Sequence, residues 1–223
     1  MTVSSMKTVA IIGGTGHQGP GLALRWAKSG RYRVIVGSRD AAKAQAVADS
    51  LNARLGKRLL EGMHNADAAA AADIVVLTVP YSAHLETLES IRAQLKGKVL
   101  VDVTVPLQPP RVSHVYIPPA GSATAEAQEF LGEEVRVVCA FQNVSATHLS
   151  QLDEPLDCDV LVCGDDKDAK AEAIALAEAA EMRGFDAGPL QNAVVVEGLT
   201  AILIGINKRY KADGAGIRIT GLP

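Results

Sequence analysis

Short runs of apolar, often β-branched residues alternate along the chain with longer amphipathic or alanine-rich segments. Six runs have the length of strands and are largely apolar on both faces, which is typical of a parallel sheet covered by helices on both sides. The predicted strands are residues 8–12, 32–36, 73–79, 98–103, 135–141 and 158–162. The pattern therefore predicts an α/β protein.

The segments between these strands carry helical spacing, such as Leu85, Leu88, Ile91 and Leu95, or are rich in alanine. Asp40 stands where it can cap the second helix. The predicted helices are residues 18–29, 41–55, 61–72, 82–95, 123–131, 168–183 and 193 to about 211. Prolines and mixed polarity predict loop over residues 106–122, and residues 142–154 are polar and irregular.

A glycine-rich turn joins the first strand to the first helix. Gly14, Gly16 and Gly19 match the G-x-G-x-x-G spacing, while Gly13, Gly16 and Gly19 also fit G-x-x-G-x-x-G. A dinucleotide pyrophosphate requires a tight turn, close approach of the backbone and free N–H groups at a helix start. In this context, the turn predicts nucleotide binding, although glycines alone also occur in ordinary turns.

The end of the second strand indicates which nucleotide binds. An NAD-specific unit has Asp or Glu there to accept from the ribose 2′-OH, whereas this chain has Ser38 and Arg39. Arg39 can pair with a 2′-phosphate, Ser38 can donate to it, and Lys43 lies one helical turn beyond Arg39. These residues predict NADP; the alternative is that Arg39 and Lys43 are solvated surface charges.

Charge and cysteine content limit the classes of binding partner that this chain is expected to have. The formal net charge is −3, but residues 1–60 hold ten Lys and Arg against two acids. Aromatic residues make up only 4% of the chain and Trp26 is the one Trp, so nucleic acid is not indicated. The odd set Cys139, Cys158 and Cys163 suggests neither a disulfide framework nor a metal site, and is expected of reduced thiols in the cytoplasm.

No membrane partner is expected either. The first residues lack the apolar region of a signal peptide. The most apolar segment, residues 193–206, is interrupted by Glu197 and is shorter than the ~20 apolar residues that span a bilayer. We therefore expect a helix that is covered on several sides, either between two domains or against a partner subunit.

Two enzyme classes can be tested against the sequence. The proton relay of short-chain dehydrogenases needs Lys four residues after Tyr, and no tyrosine meets this requirement. The residues at that spacing from the four tyrosines are Val36, Leu85, Ala120 and Gly214. No G-x-S-x-G elbow is present, so a triad hydrolase is not supported.

Five blocks in order along the chain carry a resemblance to a known family. They are residues 9–16 (VAIIGGTG), 36–39 (VGSR), 77–80 (LTVP), 162–166 (VCGDD) and 186–190 (DAGPL). Together they resemble the coenzyme F420-dependent NADP oxidoreductases. The resemblance implies a Rossmann-type domain over residues 1–142 with helices on both faces of its sheet, and a small C-terminal α+β domain over residues 143–223. It also implies a cleft between the domains, hydride exchange between NADP(H) and the deazaflavin F420, and a homodimer.

The resemblance also implies a cofactor site. Its residues would contact the pyrophosphate, the 2′-phosphate, and the ribose and nicotinamide. The implied contacts are Gly14, Thr15, Gly16, His17, Gln18, Ser38, Arg39, Lys43, Val79, Pro80, Val105 and Ala140. His17 invites an acid/base role, but a residue of a phosphate loop more often faces ligand or solvent. Because the cofactors supply the chemistry, we assign no catalytic acid or base.

The chain departs from the family pattern on the side facing the hydride acceptor. Gln142 and Ser145 stand where members often have His and Pro, and Ala83 replaces a His that here comes one place later, as His84. Gln142, Asn143 and Ser145 are the candidates for hydrogen bonds to the edge of the acceptor ring; the alternative is capping of loop backbone.

Other acceptors and roles stay open. Lys208, Arg209 and Lys211 are candidates for the acidic tail of F420, or are simply favourable charges near a helix C-terminus. An imine, a flavin or a small ketone would suit the same scaffold as acceptor. A non-catalytic NADP sensor is the alternative from a different class.

Overall fold

A computed structural model describes residues 6–222. The strands are β1 (Thr8–Ile12), β2 (Arg33–Ser38), β3 (Leu60–His64), β4 (Ile74–Leu77), β5 (Val99–Asp102), β6 (Arg136–Cys139), β7 (Val160–Gly164) and β8 (Gly184–Asp186). The helices are α1 (Gly19–Ser29), α2 (Ala41–Leu55), α3 (Asn65–Ala71), α4 (His84–Leu95), α5 (Ala123–Leu131), α6 (Ala146–Leu149), α7 (Lys167–Ala179) and α8 (Ala193–Tyr210). Short 3-10 turns precede α4 and α8, at Tyr81–Ala83 and Leu190–Asn192.

All eight strands form one sheet in the order β3-β2-β1-β4-β5-β6-β7-β8. Neighbouring strands are parallel except β6 and β7, which run antiparallel. Successive residues of β1 point to opposite faces, so that Val9 and Ile11 join the core under α1, α2 and α7, while Ala10 and Ile12 join the core under α3, α4 and α5. The predicted α/β fold with helices on both faces is confirmed.

Helix α1 is tied to the C-terminal part of the chain by two buried side chains. Trp26 Nε1 donates to Leu176 O of α7 at 2.8 Å, and its ring meets Phe141 edge-on at 5.7 Å between centroids. Arg25 donates from Nε to Leu149 O at 3.0 Å and from Nη2 to Gln151 O at 2.7 Å.

The Arg25 guanidinium is thus surrounded by protein. Its Nη1 lies 3.0 Å from Glu181 Oε2, and its side chain is 1% exposed. Burial lowers the pKa of Arg25, and the negative charge of Glu181 opposes that shift. Through these contacts Arg25 holds the residues around α6 against α1.

The helix predicted over residues 61–72 is wrong in its first part. Residues Leu60–His64 form β3, which pairs parallel with β2, and the helix α3 covers only Asn65–Ala71. Alanine content favours helix, but β3 passes close beneath α2, where a Cβ on Gly62 would lie 2.2 Å from Gln45 N. Tertiary packing therefore decides the conformation of this segment.

Two further boundaries differ from the prediction. Helix α7 ends at Ala179 rather than at residue 183, because Glu181 adopts a left-handed backbone with φ of 65°. The segment predicted as irregular, residues 142–154, contains the four-residue helix α6. The sheet continues across the predicted domain boundary at residue 142, since β7 pairs with β6; the division into two domains stays a prediction.

Helix α8 is the most apolar element. Together with the turn before it, it covers 21 residues, Leu190–Tyr210, with a mean hydropathy of 1.4, and is long and apolar enough to cross a membrane by length and composition. The expectation that this segment is too short to do so is wrong. Only 28% of its most apolar window is buried within the chain, so much of α8 has no cover from the described residues.

Glu197 fixes the first half of α8 to the start of α5. Its carboxylate accepts from Ala123 N at 2.7 Å and from Thr124 N and Oγ1 at 3.0 and 2.6 Å. Burial raises the pKa of Glu197 to about 7, against the opposing effect of these hydrogen bonds. The charge that interrupts the apolar run thus serves as a helix-to-helix contact.

Candidate functional site

The glycine turn brings α1 against the end of β1. Gly13 has a left-handed backbone with φ of +71°, which favours glycine. A Cβ on Gly19 would lie 2.6 Å from Gly14 Cα, and a Cβ on Gly14 would lie 2.7 Å from Ile11 O, so neither position accepts a side chain without displacement. The amino terminus of α1 therefore lies directly at the carboxyl edge of the sheet.

Backbone N–H groups of this turn divide into two sets. Gly14 N donates to Gly37 O at 2.9 Å and Gly16 N to Gly13 O at 3.0 Å, so both are used within the fold. The N–H groups of Thr15, His17 and Gln18 have no acceptor among residues 6–222. The first turn of α1 carries no acidic residue, so its positive end and these N–H groups form a site for an anion.

A cavity of about 330 Å³ lies next to this turn. It brings together seven of the predicted cofactor residues from the ends of β1, β2 and β4, and six further residues. The lining residues are Gly13, Thr15, Gly16, Ser38, Arg39, Asp40, Lys43, Asn65, Thr78, Val79, Pro80, Ala83 and Thr87. The topology explains the grouping, because the carboxyl ends of parallel neighbouring strands share one edge of the sheet.

One end of the cavity is positively charged. The side chains of Arg39 and Lys43 have no ion-pair partner in the part of the chain that the structure describes. Ser38 is nearly buried and its Oγ accepts from Asp40 N at 3.2 Å, which leaves the hydroxyl hydrogen to donate. Asp40 caps α2, as predicted, by accepting from Lys43 N at 3.1 Å. The arrangement fits a phosphate on the 2′ position of a ribose.

The predicted nicotinamide contacts lie elsewhere on the same edge of the sheet. Val105 is half-buried in the loop after β5, and Ala140 follows β6 and is fully buried. Neither lines the 330 Å³ cavity. Gln18 Nε2 donates to Phe141 O at 2.9 Å, so the side chain of Gln18 joins the glycine turn to the end of β6. Contacts of these residues with a cofactor stay predictions.

The candidates for the acceptor side make hydrogen bonds within the protein. Gln142 Nε2 donates to Asp102 O at 2.6 Å, and Asn143 Nδ2 donates to Val196 O at 2.8 Å. Ser145 Oγ accepts from His148 N at 3.4 Å and caps α6. These bonds agree with the alternative of loop capping for Ser145, while a substrate contact of any of the three stays a prediction.

A small cavity of about 100 Å³ separates the Gln142–Ser145 segment from the second half of α8. Its α8 side includes Thr200, Leu203, Ile204 and Asn207. The basic candidates Lys208, Arg209 and Lys211 follow directly and are exposed. They therefore lie at the same end of α8 as this cavity.

Sequence reasoning missed two groups of residues at the site. Asn65 lines the cavity and its Oδ1 accepts from Gly13 N at 3.4 Å. It was missed because a single helix was predicted over residues 61–72, so that Asn65 was not expected at the end of a strand. Asp102 and His84 form a fully buried pair behind the site, 2.6 Å between Oδ2 and Nε2. A single acid in the otherwise apolar run Val99–Val103 was the available signal.

Comparison with known proteins identifies the family. The family model for coenzyme F420-dependent NADP oxidoreductases matches residues 8–106. The F420-dependent NADP reductase of Methanothermobacter thermautotrophicus is 47% identical, over 96% of this chain and 95% of that protein. The one of Methanocaldococcus jannaschii is 43% identical, over 96% of this chain and 98% of that protein.

This chain belongs to the F420-dependent NADP reductase family. The resemblance that the five sequence blocks indicate is thereby confirmed. A solved structure of a protein from Arthrobacter sp. FB24 matches with a TM-score of 0.79, over 96% of this chain and 100% of that chain. At 24% identity, that match supports the fold alone. The reductase family and the Rossmann-type fold are thus established by separate comparisons.

Proposed function

We propose that this member of the F420-dependent NADP reductase family transfers a hydride between NADP(H) and the deazaflavin F420. The observation that carries the proposal is the cavity that joins the glycine turn, at Thr15 with its free N–H group, to the cations beyond β2. It offers donors for a pyrophosphate at one end and for a 2′-phosphate at the other.

Each part of the NADP molecule has its group of residues in this proposal. Gly14 and Gly16 shape the turn, and the N–H groups of Thr15, His17 and Gln18 bind the pyrophosphate. Ser38, Arg39 and Lys43 bind the 2′-phosphate. The ribose and nicotinamide then extend along Val79 and Pro80 towards Val105 and Ala140, at the edge formed by β4, β5 and β6.

The protein contributes alignment. The two rings supply the chemistry of hydride transfer, and holding them face to face in van der Waals contact lowers the barrier by several kcal/mol. The C-terminal domain, residues 143–223, forms the other wall of the cleft. Its Asn143 and Ser145, with the preceding Gln142, lie at the ring edge, and its Lys208, Arg209 and Lys211 lie at the acidic tail. No side chain is assigned as general acid or base.

An absorbance assay of NADPH oxidation tests the acceptor. Purified protein is mixed with NADPH and, in parallel reactions, with F420, free flavins, imines or small ketones. Fast oxidation with F420 supports the proposal, and faster oxidation with another acceptor contradicts it. A sensor would bind NADPH tightly yet oxidise it with none of them. Affinity for F420 that does not fall as salt rises would exclude the basic residues of α8 as its tail site.

The protein is further proposed to act as a cytoplasmic homodimer without nucleic-acid or membrane partners. Support for the homodimer comes from an apolar surface on α8, here called the α8 face. Val195 and Ile202 are 62% and 49% exposed, and Val115 and Ile117 of the adjoining loop are 47% and 59% exposed. Val115 packs beside Gly198, which lies on α8 between Val195 and Ile202, so these three side chains belong to one patch. Contiguous exposed apolar patches mark interfaces.

Light scattering on purified protein measures the assembly. The wild type is expected at the mass of a dimer, and the double variant Val195→Glu/Ile202→Glu at the mass of one chain of 23.3 kDa. Leu59→Glu serves as matched control, because Leu59 is 40% exposed but lies before β3, away from α8. A dimer that survives the double substitution would place the interface elsewhere.

A further inference from the structure

A buried carboxylate at the carboxyl end of β5 connects three segments of the chain. Asp102 Oδ2 lies 2.6 Å from His84 Nε2, and Oδ1 accepts from Thr104 N at 2.9 Å. The backbone oxygen of Asp102 accepts from Gln142 Nε2 at 2.6 Å. The side chains of Asp102 and His84 are both 0% exposed. One residue therefore holds the start of α4, the loop after β5 and the segment after β6.

Stability alone does not account for a charge at this position. Asp102 is in register with Leu77 of β4 and Cys139 of β6, so an apolar residue would suit the sheet. Replacing a buried ion pair by apolar residues of similar volume is often neutral or stabilising. Burial by itself would lower the pKa of His84, but the nearby charge and hydrogen bond of Asp102, together with the charges of Glu126 and Glu197, outweigh that effect and the pKa is raised.

The residues around Asp102 are unusual in a second respect. Three buried side-chain atoms lack a hydrogen-bond partner within residues 6–222: His84 Nδ1, Thr104 Oγ1 and Gln142 Oε1. All three belong to the residues that Asp102 holds. Buried polar atoms in proteins are normally paired, so their concentration here points to a role other than stability.

The three segments lead to both parts of the proposed NADP site. His84 follows the residues that line the phosphate cavity, among them Pro80 and Ala83. Thr104 precedes Val105, and Gln142 is a candidate for the ring edge. Asp102 thus connects the residues that line the 330 Å³ cavity to the residues that are predicted to contact the nicotinamide.

We propose that Asp102 is a positioning residue, which holds these three segments so that the nicotinamide ring stays aligned for hydride transfer. The inference rests on the proposed function for the identity of the ring and its acceptor. A displacement of about 1 Å can cost about 100-fold in rate, whereas the phosphate contacts that dominate affinity are made elsewhere. Loss of Asp102 is therefore expected to reduce transfer much more than binding.

The test uses the double variant Asp102→Leu/His84→Leu, which removes the pair without leaving a buried charge unpaired. We expect it to fold, with a melting temperature lowered by no more than the loss of the acceptor of Thr104 N, and to bind NADPH within about threefold of wild-type affinity. The fluorescence anisotropy of the bound reduced nicotinamide is expected to fall, and single-turnover hydride transfer to F420 to slow at least about tenfold. Asp102→Asn, which keeps a hydrogen-bonding side chain of the same size, is expected to retain most of both signals.

Asp73→Asn is the matched control, because Asp73 also accepts a backbone N–H, that of Thr8 at 2.8 Å, but at the opposite edge of the sheet. If the double-leucine protein does not fold, the variant His84→Leu/Asp102→Asn is used instead. It also removes the contact between residues 84 and 102, leaves no buried charge, and is measured for the same anisotropy and rate. Wild-type anisotropy and rate in a folded variant would overturn the inference. The anisotropy needs no acceptor, so a wild type that fails to reduce F420 refutes the proposed function alone.

Discussion

Arg39→Ala tests the assignment of the 2′-phosphate site. Arg39 is exposed and has no ion-pair partner among the described residues, so its removal leaves no protein charge unpaired. A hydrogen bond to a charged group contributes about 1.5–3 kcal/mol, and each 1.4 kcal/mol is about tenfold in affinity. We expect the dissociation constant of NADPH to rise about 10- to 100-fold, and that of NADH by less than about threefold.

Calorimetric titration of both nucleotides at low and high salt measures this difference. Arg31→Ala is the matched control, since Arg31 is also exposed but precedes β2, at the opposite end of that strand from Arg39. The loss on Arg39→Ala should shrink at high salt, because exposed charges are screened. Equal losses for NADPH and NADH would refute the reasoning, as would an equal effect of Arg31→Ala.

Three further substitutions test the fold around the site. Gly19→Ala places a Cβ 2.6 Å from Gly14 Cα and should cost about 1–3 kcal/mol in the free energy of unfolding, measured by urea denaturation; an unchanged value contradicts the close packing. Trp26→Phe removes the indole N–H that donates to Leu176 O, which keeps its bond from Ala180 N, and leaves a cavity in the core; it should cost about 2–4 kcal/mol in the same assay. The pKa of Glu197 is raised by burial from 4.5 to about 7, so the folded state binds the extra proton. The unfolding free energy of the wild type relative to Glu197→Gln should therefore fall as pH rises from about 4.5 to about 7, by up to about 1.4 kcal/mol per pH unit; a rise in that window would contradict the assignment.

Local patterns were sufficient for most of the fold. Strand β1, helix α5 and the cap at Asp40 follow from apolar runs, helical spacing and a side chain that bonds three residues ahead. Strand β3 was missed because its residues, LEGMH, lack a β-branched run and an alanine-rich stretch follows. Its conformation depends on pairing with β2 and packing under α2, which no local pattern records.

The candidate site likewise has a part that local sequence patterns predict and a part that they do not. The glycine turn and Ser38-Arg39 are contiguous signals at the ends of strands, so their joint position at one cavity could be predicted. The contacts of Gln142 and Asn143 could not, because their hydrogen-bond acceptors lie 40 and 53 residues away in sequence. The same holds for the pair His84 and Asp102, which are 18 residues apart and meet only in the folded sheet.

The contacts of Arg25 bear on how this protein could be re-engineered. Its guanidinium is saturated by carbonyls from the region of α6 and by Glu181, all beyond residue 142. A chain that ended there would leave the Arg25 guanidinium without these partners, which would lower the free energy of unfolding by several kcal/mol. The nucleotide-binding part of the chain therefore cannot be transferred unchanged to another catalytic domain. Arg25, in the middle of α1, would first have to be replaced.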